Sequence, residues 1–109
     1  MAAGDRVLGM IGLARRAGQA LAGTFLAEKS VRAGAAQLIV VALDAADNAK
    51  KKMKNTCSYY GVEYIEYGTK ASLAASIGKE NIAVVCINGE SFAKGIIDKY
   101  RQQCRTEGD

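Results

Sequence analysis

The chain has 109 residues, half of them hydrophobic, which suits one domain with its own core and leaves no room for a second. Fifteen Lys and Arg residues against eleven Asp and Glu residues give a net charge of +4. This charge is compatible both with a nucleic-acid partner and with an ordinary solvated basic surface. Histidine is absent, which removes the commonest metal ligand and excludes any Ser-His or Cys-His catalytic pair.

The cysteines and the apolar runs favour a reducing, cytoplasmic compartment. Cys57, Cys86 and Cys104 lie far apart and form no C-x-x-C pair, which favours free thiols in a reducing environment. No apolar run approaches the roughly 20 residues that a membrane span requires, and Asp5 and Arg6 interrupt the N-terminal segment. We therefore expect a cytoplasmic protein with no membrane partner, metal or cofactor.

The first predicted elements are a helix and a short strand. Asp5 is typical of a helix cap, and the helix is predicted to run to about Ala17. Arg15 and Arg16 fall in its last turn, where they complement the helix dipole or contact phosphate. Gln19 to Ala22 predicts a short edge strand. The apolar positions of the helix, at helical spacing, are Val7, Leu8, Ile11 and Ala14.

The stretch from Gly23 to Gly34 predicts a second helix with a glycine at each end. Thr24 is expected to cap it through its hydroxyl, and Gly34 to end it in the left-handed conformation. Free backbone amides at its N-terminus, beside an apolar residue and a lysine one turn in, indicate a surface for an RNA backbone and bases. Ala27, Ser30 and Val31 fall on the face predicted to be buried, and Phe25, Glu28, Lys29 and Arg32 on the other.

The middle of the chain predicts a buried strand followed by a basic helix. The run Gln37–Leu43 is continuously apolar after Gln37, as in a strand that is covered on both faces. Asp44 and Asp47 are predicted to open the third helix. Its lysines, Lys50, Lys51, Lys52 and Lys54, form a solvated face or contact RNA. The predicted buried stripe is Ala46, Ala49, Met53, Cys57 and Tyr60.

The second half of the chain continues the alternation. Val62–Tyr67 predicts a strand near an edge, and Ile82–Ile87 a strand buried on both faces. Between them Thr69 caps a short helix, and a final helix begins near Ser91. A polar tail that frays is expected from about residue 105. The inward residues of the two helices are Leu73, Ala74 and Ile77, then Phe92, Ile96, Ile97, Tyr100 and Cys104.

This alternation predicts an α/β fold, a three-layer α/β/α sandwich whose sheet is largely parallel. The whole chain, 1–109, is read as a single domain. No phosphate-binding glycine loop or catalytic set is present. Asp44 and Asp47, at the carboxyl end of the predicted central strand, leave open a metal-dependent, phosphate-handling enzyme, although acids at a helix start are more often caps. No catalytic residue is predicted.

A series of segments resembles the L7Ae and L30e ribosomal protein family, and most closely its small bacterial members. The resemblance covers about Val7 to Tyr100. It implies a four-stranded mixed sheet in an α/β/α sandwich and binding to kink-turn or similarly bent, internally looped RNA. The matching segments are Leu13–Gly18, Gly23–Gly34, Ala36–Ala45, Tyr59–Val62, Gly68–Lys70 and Leu73.

The resemblance also implies RNA-contacting residues, with one departure. When the two glycines are aligned, Lys29 matches the family's lysine, but Phe25 and Leu26 replace an asparagine and a glutamate of its kink-turn binders. Phe and Leu cannot form the hydrogen bonds to base edges that Asn and Glu make, whereas an exposed Phe25 can stack on an unpaired base. The implied RNA-binding residues are Gly23, Thr24, Phe25, Leu26, Lys29, Lys50 and Lys70, with Lys79, Asn81 and Ile82 in a second contact region.

The sequence thus leaves two main hypotheses. In the first, the chain is a non-enzymatic protein that binds structured RNA, kink-turn-like or ribosomal, and is associated with the ribosome. In the second, the same fold is a protein-interaction or dimerisation module that uses the apolar surface of Phe25 and Leu26 against a partner or a second copy. A separate alternative for these two side chains is packing against the Lys79–Ile82 loop.

Overall fold

The computed structural model describes the backbone of residues 5–108 and the side chains of residues 5–103. Helices and strands alternate along this range, as predicted. The elements are α1 (Arg6–Arg16), β1 (Ala20–Ala22), α2 (Thr24–Arg32), β2 (Leu38–Val41), α3 (Asp47–Tyr60), β3 (Glu63–Glu66), α4 (Lys70–Ser76), β4 (Val84–Ile87) and α5 (Glu90–Gly108).

The four strands form one mixed sheet in the order β1-β4-β2-β3. β2 and β3 are parallel, but β4 runs antiparallel to both of its neighbours, β1 and β2. The prediction of a largely parallel sheet is therefore wrong. The reason lies in the connection after β3: α4 has only seven residues, and the loop that follows returns the chain to the end of the sheet where β3 finished. β4 consequently starts from that end and runs in the opposite direction.

The helices pack in two groups, with α2 on α3 and α1 on α4 and α5. This arrangement agrees with the predicted three-layer sandwich. β2 and β4 are buried at every position, as the continuous apolar runs indicated, and β1 and β3 are the edge strands. Each fully buried Val, Leu or Ile side chain in these strands stabilises the fold by about 1.5–3 kcal/mol.

Several predicted helix features are confirmed. Leu8 donates its amide to Asp5 Oδ1 at 2.9 Å, so Asp5 caps α1, and Thr69 caps α4 in a reciprocal pair with Ser72. The buried faces of α1 and α2 are those expected from the sequence. They consist of Val7, Leu8, Ile11 and Ala14 in α1, and of Ala27, Ser30 and Val31 in α2.

The start and the stripe of α3 differ from the prediction. The helix begins at Asp47 with Ala46 as its cap, and Asp44 precedes it. Met53 and Cys57 are buried, but Ala46 and Tyr60 are exposed. Tyr60 is exposed because it is the last residue of the helix, where the chain turns away through the left-handed Gly61 before β3 begins.

The last elements also shift in their bounds. β4 begins at Val84, two residues after the predicted start, and α5 begins at Glu90. Ile96 is fully buried, and Phe92, Ile97 and Tyr100 pack partly buried against the core. α5 reaches Gly108 and so includes residues assigned to a polar tail. The predicted inward position of the Cys104 side chain lies outside the described residues.

Two of the three cysteines lie in the core. Cys57 and Cys86 are free and buried, which confirms the prediction of free thiols for this pair. Burial, and to a smaller extent the neighbouring Cys86 sulfur, raises the pKa of the Cys57 thiol to about 11. Among the described residues, no helix combines the length and the apolar character needed to cross a bilayer.

The conformation of Gly23 generates the first prediction. With φ at 103° and ψ at 151°, it lies in a region that L-residues adopt only with strain, and a Cβ added there would meet no atom within 4 Å. We expect Gly23→Ala to lower the free energy of unfolding by about 1–3 kcal/mol in urea denaturation, entirely through the backbone.

Gly9→Ala is the matched control. Gly9 is an exposed position inside α1, and an added Cβ would also meet nothing within 4 Å. Because alanine favours a helix interior, this variant should gain up to about 1 kcal/mol. Equal effects of the two substitutions would contradict the strain assigned to Gly23.

Candidate nucleic-acid interface

One end of the sheet gathers four segments that are distant in sequence. Gly23, at the start of α2, donates its amide to the Val84 carbonyl at 2.9 Å, and Ala42 donates to Ala83 at 2.8 Å. These bonds place the start of α2 and the segment after β2 on either side of the loop that precedes β4.

The segment after β3 joins the same end. Tyr67 donates its amide to the Val41 carbonyl at 2.9 Å, and Leu43 donates to Gly68 at 2.8 Å. We call residues 22–26, 42–47, 67–70 and 79–83 together the loop end of the sheet. It contains most of the residues that the sequence assigned to RNA.

The N-terminus of α2 offers backbone amides without a side-chain cap. Gly23 occupies the cap position and Thr24 is already helical, so the predicted capping by the Thr24 hydroxyl is wrong. Glycine has no side-chain acceptor, and the first-turn amides of a helix have no intrahelical partner. With no acidic residue in this turn, the helix end remains suited to an anion from outside.

Exposed apolar side chains occur in the first turn of α2 and on the segment after β2. Phe25 is 76% exposed and Leu26 42% exposed, so Phe25 is not packed into the Lys79–Ile82 loop. Leu43, on the segment after β2, is 56% exposed. The continuous apolar run predicted a buried strand position for Leu43, but β2 ends at Val41 and Leu43 is exposed. An uninterrupted apolar run does not indicate where the strand ends, so the position of Leu43 beyond β2 could not be predicted.

Three lysines add positive charge in or beside the loop end. Lys29 lies one turn after Phe25 on the same side of α2 and is exposed. Lys79 is also exposed, and Lys70 is half-buried at the start of α4. Within the described range none of the three forms an ion pair, so their charges are available to an external anion.

Lys50 has a different role from the other lysines. Its Nζ donates to the Leu43 carbonyl at 2.6 Å and lies 3.9 Å from Glu66 Oε1. Tyr64 donates its hydroxyl to the other oxygen of Glu66 at 2.9 Å, and burial, together with this bond, raises the pKa of Tyr64. Lys50 therefore holds the segment after β2 in place, and its ammonium is already engaged within the protein.

Asp44 also fixes the loop end. Its Oδ1 accepts the Lys70 amide at 2.8 Å, which joins the segment after β2 to the start of α4. Asp47 is the first residue of α3, where its negative charge interacts favourably with the helix dipole. Both acids thus have structural positions. Over the described residues, no group of three or more His, Cys, Asp or Glu side chains is placed to hold a metal ion.

The second predicted contact region is the loop before β4. Lys79 and Asn81 are exposed and Ile82 is half-buried. Asn81 has φ at 55°, a left-handed conformation that asparagine tolerates better than most residues, and Lys79 donates its amide to Ala74 at 2.9 Å. The loop is therefore anchored at its start and sharply turned at its tip.

The structure brings most of the predicted site residues together. Lys29 lies one turn along α2 from the loop end, and Lys50 lies behind the segment that it holds. Leu43 is not among the residues that the sequence assigned to this site, and the contact by which Asp44 joins two loops was not predicted. The residues that share the loop end are Gly23, Thr24, Phe25, Leu26, Lys70, Lys79, Asn81 and Ile82.

The chain belongs to the ribosomal protein L7Ae/L30e/S12e/Gadd45 family, whose model matches residues 5–96. This confirms the resemblance deduced from the sequence. The family is non-enzymatic, which agrees with the absence of a predicted catalytic residue. The metal-dependent enzyme considered for Asp44 and Asp47 is therefore not supported.

Two bacterial relatives are each 38% identical to the chain. The RNA-binding protein YlxQ of Bacillus subtilis (strain 168) matches over 88 residues, which is 81% of this chain and 88% of the relative. The protein of the same name from Enterococcus faecium matches over 90 residues, 83% of this chain and 86% of the relative.

Solved structures share the fold. A Bacillus halodurans protein of unknown function superposes with a TM-score of 0.84 at 28% identity, covering 87% of this chain and 96% of that one. The Giardia lamblia 15.5kD RNA binding protein superposes with a TM-score of 0.75 at 21% identity, covering 89% and 83% of the two chains.

The engagement of Lys50 generates a prediction about stability. Lys50→Met keeps the apolar stem but removes the bonds to Leu43 and Glu66, so the free energy of unfolding should fall by about 1 kcal/mol. Lys51→Met, at an exposed neighbour without an ion pair in the described chain, should change it by less than about 0.5 kcal/mol. Chemical denaturation measures both, and equal stabilities would show that Lys50 does not hold the loop.

Proposed function

We propose that the chain binds structured RNA at the loop end of the sheet. The observation that carries this proposal is the start of α2, where amides without a side-chain cap lie beside the exposed Phe25 and Leu26. One turn further on is Lys29, which forms no ion pair with any residue that the structure describes. This combination offers an anion site, apolar contact surfaces and a positive charge within a single helix.

Each group has a distinct role in binding. The amides of the first turn of α2 hold a phosphate, and Lys29 neutralises a phosphate beside it. Phe25 stacks on an unpaired base, with Leu26 alongside, and this contact depends on shape more than on base identity. On the neighbouring segments, Lys70, Lys79 and Asn81 contact the RNA backbone. Ile82 adds apolar surface for the RNA. Lys50 contributes indirectly by holding Leu43.

The relatives support this proposal by their names. Both bacterial proteins at 38% identity are called RNA-binding protein, and each aligns over more than four-fifths of this chain. We extend the proposal to the class of RNA: a bent, internally looped RNA of the kink-turn or ribosomal type, bound in the cytoplasm as part of a ribonucleoprotein or on the ribosome. Unpaired bases in such an RNA are the ones that Phe25 can reach and stack on.

A protein-interaction or dimerisation module is the second candidate. The exposed fractions of Phe25, Leu26 and Leu43 favour it, because neighbouring apolar side chains mark protein interfaces as well as nucleic-acid ones. The charges favour RNA over a protein partner. Three lysines without ion pairs in the described chain lie at or beside this surface, and their positive charge suits a polyanion.

Binding to RNA should depend on both Lys29 and Phe25. In fluorescence anisotropy with an internally looped, kink-turn-type RNA, Lys29→Ala should weaken binding about threefold to tenfold and lower the salt slope by about 1. Phe25→Ala should weaken binding about fivefold to 100-fold with the salt slope nearly unchanged, since stacking carries no charge.

Lys94→Ala is the control for charge. Lys94 is an exposed residue of α5, paired with Glu90 at 3.7 Å, and should leave affinity within about twofold. Wild-type affinity in both the Lys29 and Phe25 variants would remove this surface from RNA binding. A dimer that dissociates in Phe25→Asp, without affinity for either looped or duplex RNA, would instead establish the second candidate.

A further inference from the structure

A groove lies at the opposite end of α2 and α3 from the loop end. It is an open depression of about 360 Å³, lined by Arg32, Asn55, Thr56, Tyr59 and Tyr60. We call these five residues the tyrosine groove. Arg32 is the last residue of α2, and the two tyrosines end α3. None of the five is among the residues assigned to RNA from the sequence.

The two tyrosine rings present a large apolar surface to solvent. Tyr59 is 83% exposed and Tyr60 45% exposed, and their ring centroids lie 4.9 Å apart at an interplanar angle of 79°. Because the rings meet edge to face, each supports the other's orientation while a flat face remains open. An exposed aromatic face is the feature on which proteins stack unpaired bases.

The polar lining matches the rest of a nucleotide. Arg32 supplies a guanidinium that pairs with phosphate or stacks on a base. The Asn55 amide forms no hydrogen bond within the described residues, so both its donor and its acceptor are available to a base edge. The lining contains no carboxylate, and the helix that carries four of its residues also carries the exposed Lys51, Lys52 and Lys54, of which Lys52 is paired with Glu28. The charge therefore favours a polyanion over an acidic or neutral protein surface.

Phe25, Lys29 and Arg32 lie along one exposed face of α2, from the loop end to the tyrosine groove. Phe25 and Arg32 are seven residues apart on this helix, which corresponds to about 10 Å, or roughly three stacked nucleotides at 3.4 Å each. Lys29 lies between them. Glu28, the acid on this helix, is turned toward α3, with its Oε2 3.3 Å from Lys52 Nζ. Lys52 therefore offsets the negative charge of Glu28 between Phe25 and Arg32.

We infer that the tyrosine groove is a second RNA contact, in which Tyr59 and Tyr60 stack on an unpaired base of the strand that leaves the loop end and Arg32 pairs with its phosphate. This inference rests on the proposed RNA-binding function. It assigns to the chain an RNA site that extends along the α2 and α3 face, rather than one confined to the loops.

The test uses one looped RNA in two forms, with and without a single-stranded extension of six uridines or adenines at either terminus. For wild-type protein, one of the extended RNAs should bind about fivefold or more tighter than the unextended form. The double variant Tyr59→Ala/Tyr60→Ala should lose this gain, and Arg32→Ala part of it, whereas binding of the unextended RNA stays unchanged. Tyr59→Phe/Tyr60→Phe keeps the stacking faces and should keep most of the gain.

Tyrosine fluorescence gives an independent readout, because the chain has five tyrosines and no tryptophan. The extended RNA should quench the wild-type emission more than the unextended RNA does, and this difference should vanish in Tyr59→Phe/Tyr60→Phe. Thermal unfolding verifies that each variant is folded. Lys94→Ala again serves as the charge control.

The outcomes separate the two proposals. Equal binding of extended and unextended RNAs by wild-type protein, or an unaltered gain in Tyr59→Ala/Tyr60→Ala, overturns the tyrosine groove and leaves RNA binding at the loop end intact. Failure of the wild-type protein to bind any of these RNAs overturns the proposed function and this inference together. Both proposals are supported if the alanine variant loses the tighter binding of the extended RNA and the phenylalanine variant keeps it.

Discussion

The insertion of β4 between β1 and β2, antiparallel to both, is the constraint on which the rest of the structure depends. It brings the start of β4 beside the end of β1, so the Gly23 amide can donate to Val84. The same geometry places the loop before β4 next to the segment after β2. In a sheet without this reversal, β4 would begin at the opposite end, and the loop before β4 would not lie beside the start of α2.

Polar side chains then fix the positions of these segments. Lys50 holds Leu43 through a hydrogen bond to its carbonyl, and Asp44 joins the segment after β2 to the start of α4. Both residues looked like candidates for ligand contact in the sequence, and in the structure both are committed to the protein itself. Phe25, Leu26 and Lys29, which are among the groups that remain available, lie on a regular helix. The site is therefore largely preformed, which lowers the entropic cost of binding.

The fold could be predicted where a signal is local. Asp5, Thr69 and the apolar stripes of α1 and α2 specify their helices directly, and the continuous runs specify the buried strands. Strand direction could not be deduced, because it depends on where a short helix and its loop return the chain. Leu43 and Tyr60 were predicted to be buried because periodicity carries no information on where an element ends. The partners of Lys50 and Asp44 lie 7 and 26 residues away along the chain, beyond the reach of any local pattern.

The central claim is that the loop end, with the helix α2 that starts from it, receives RNA. Chemical-shift mapping of uniformly ¹⁵N-labelled protein with a kink-turn-type RNA tests this claim most directly, since it reports every backbone amide in one titration. We expect the largest changes at the amides of residues 23–26, at Lys29 and in the 79–82 loop, with little change along α1 and α5. Changes concentrated on α1 and α5, with the start of α2 unaffected, would contradict the account.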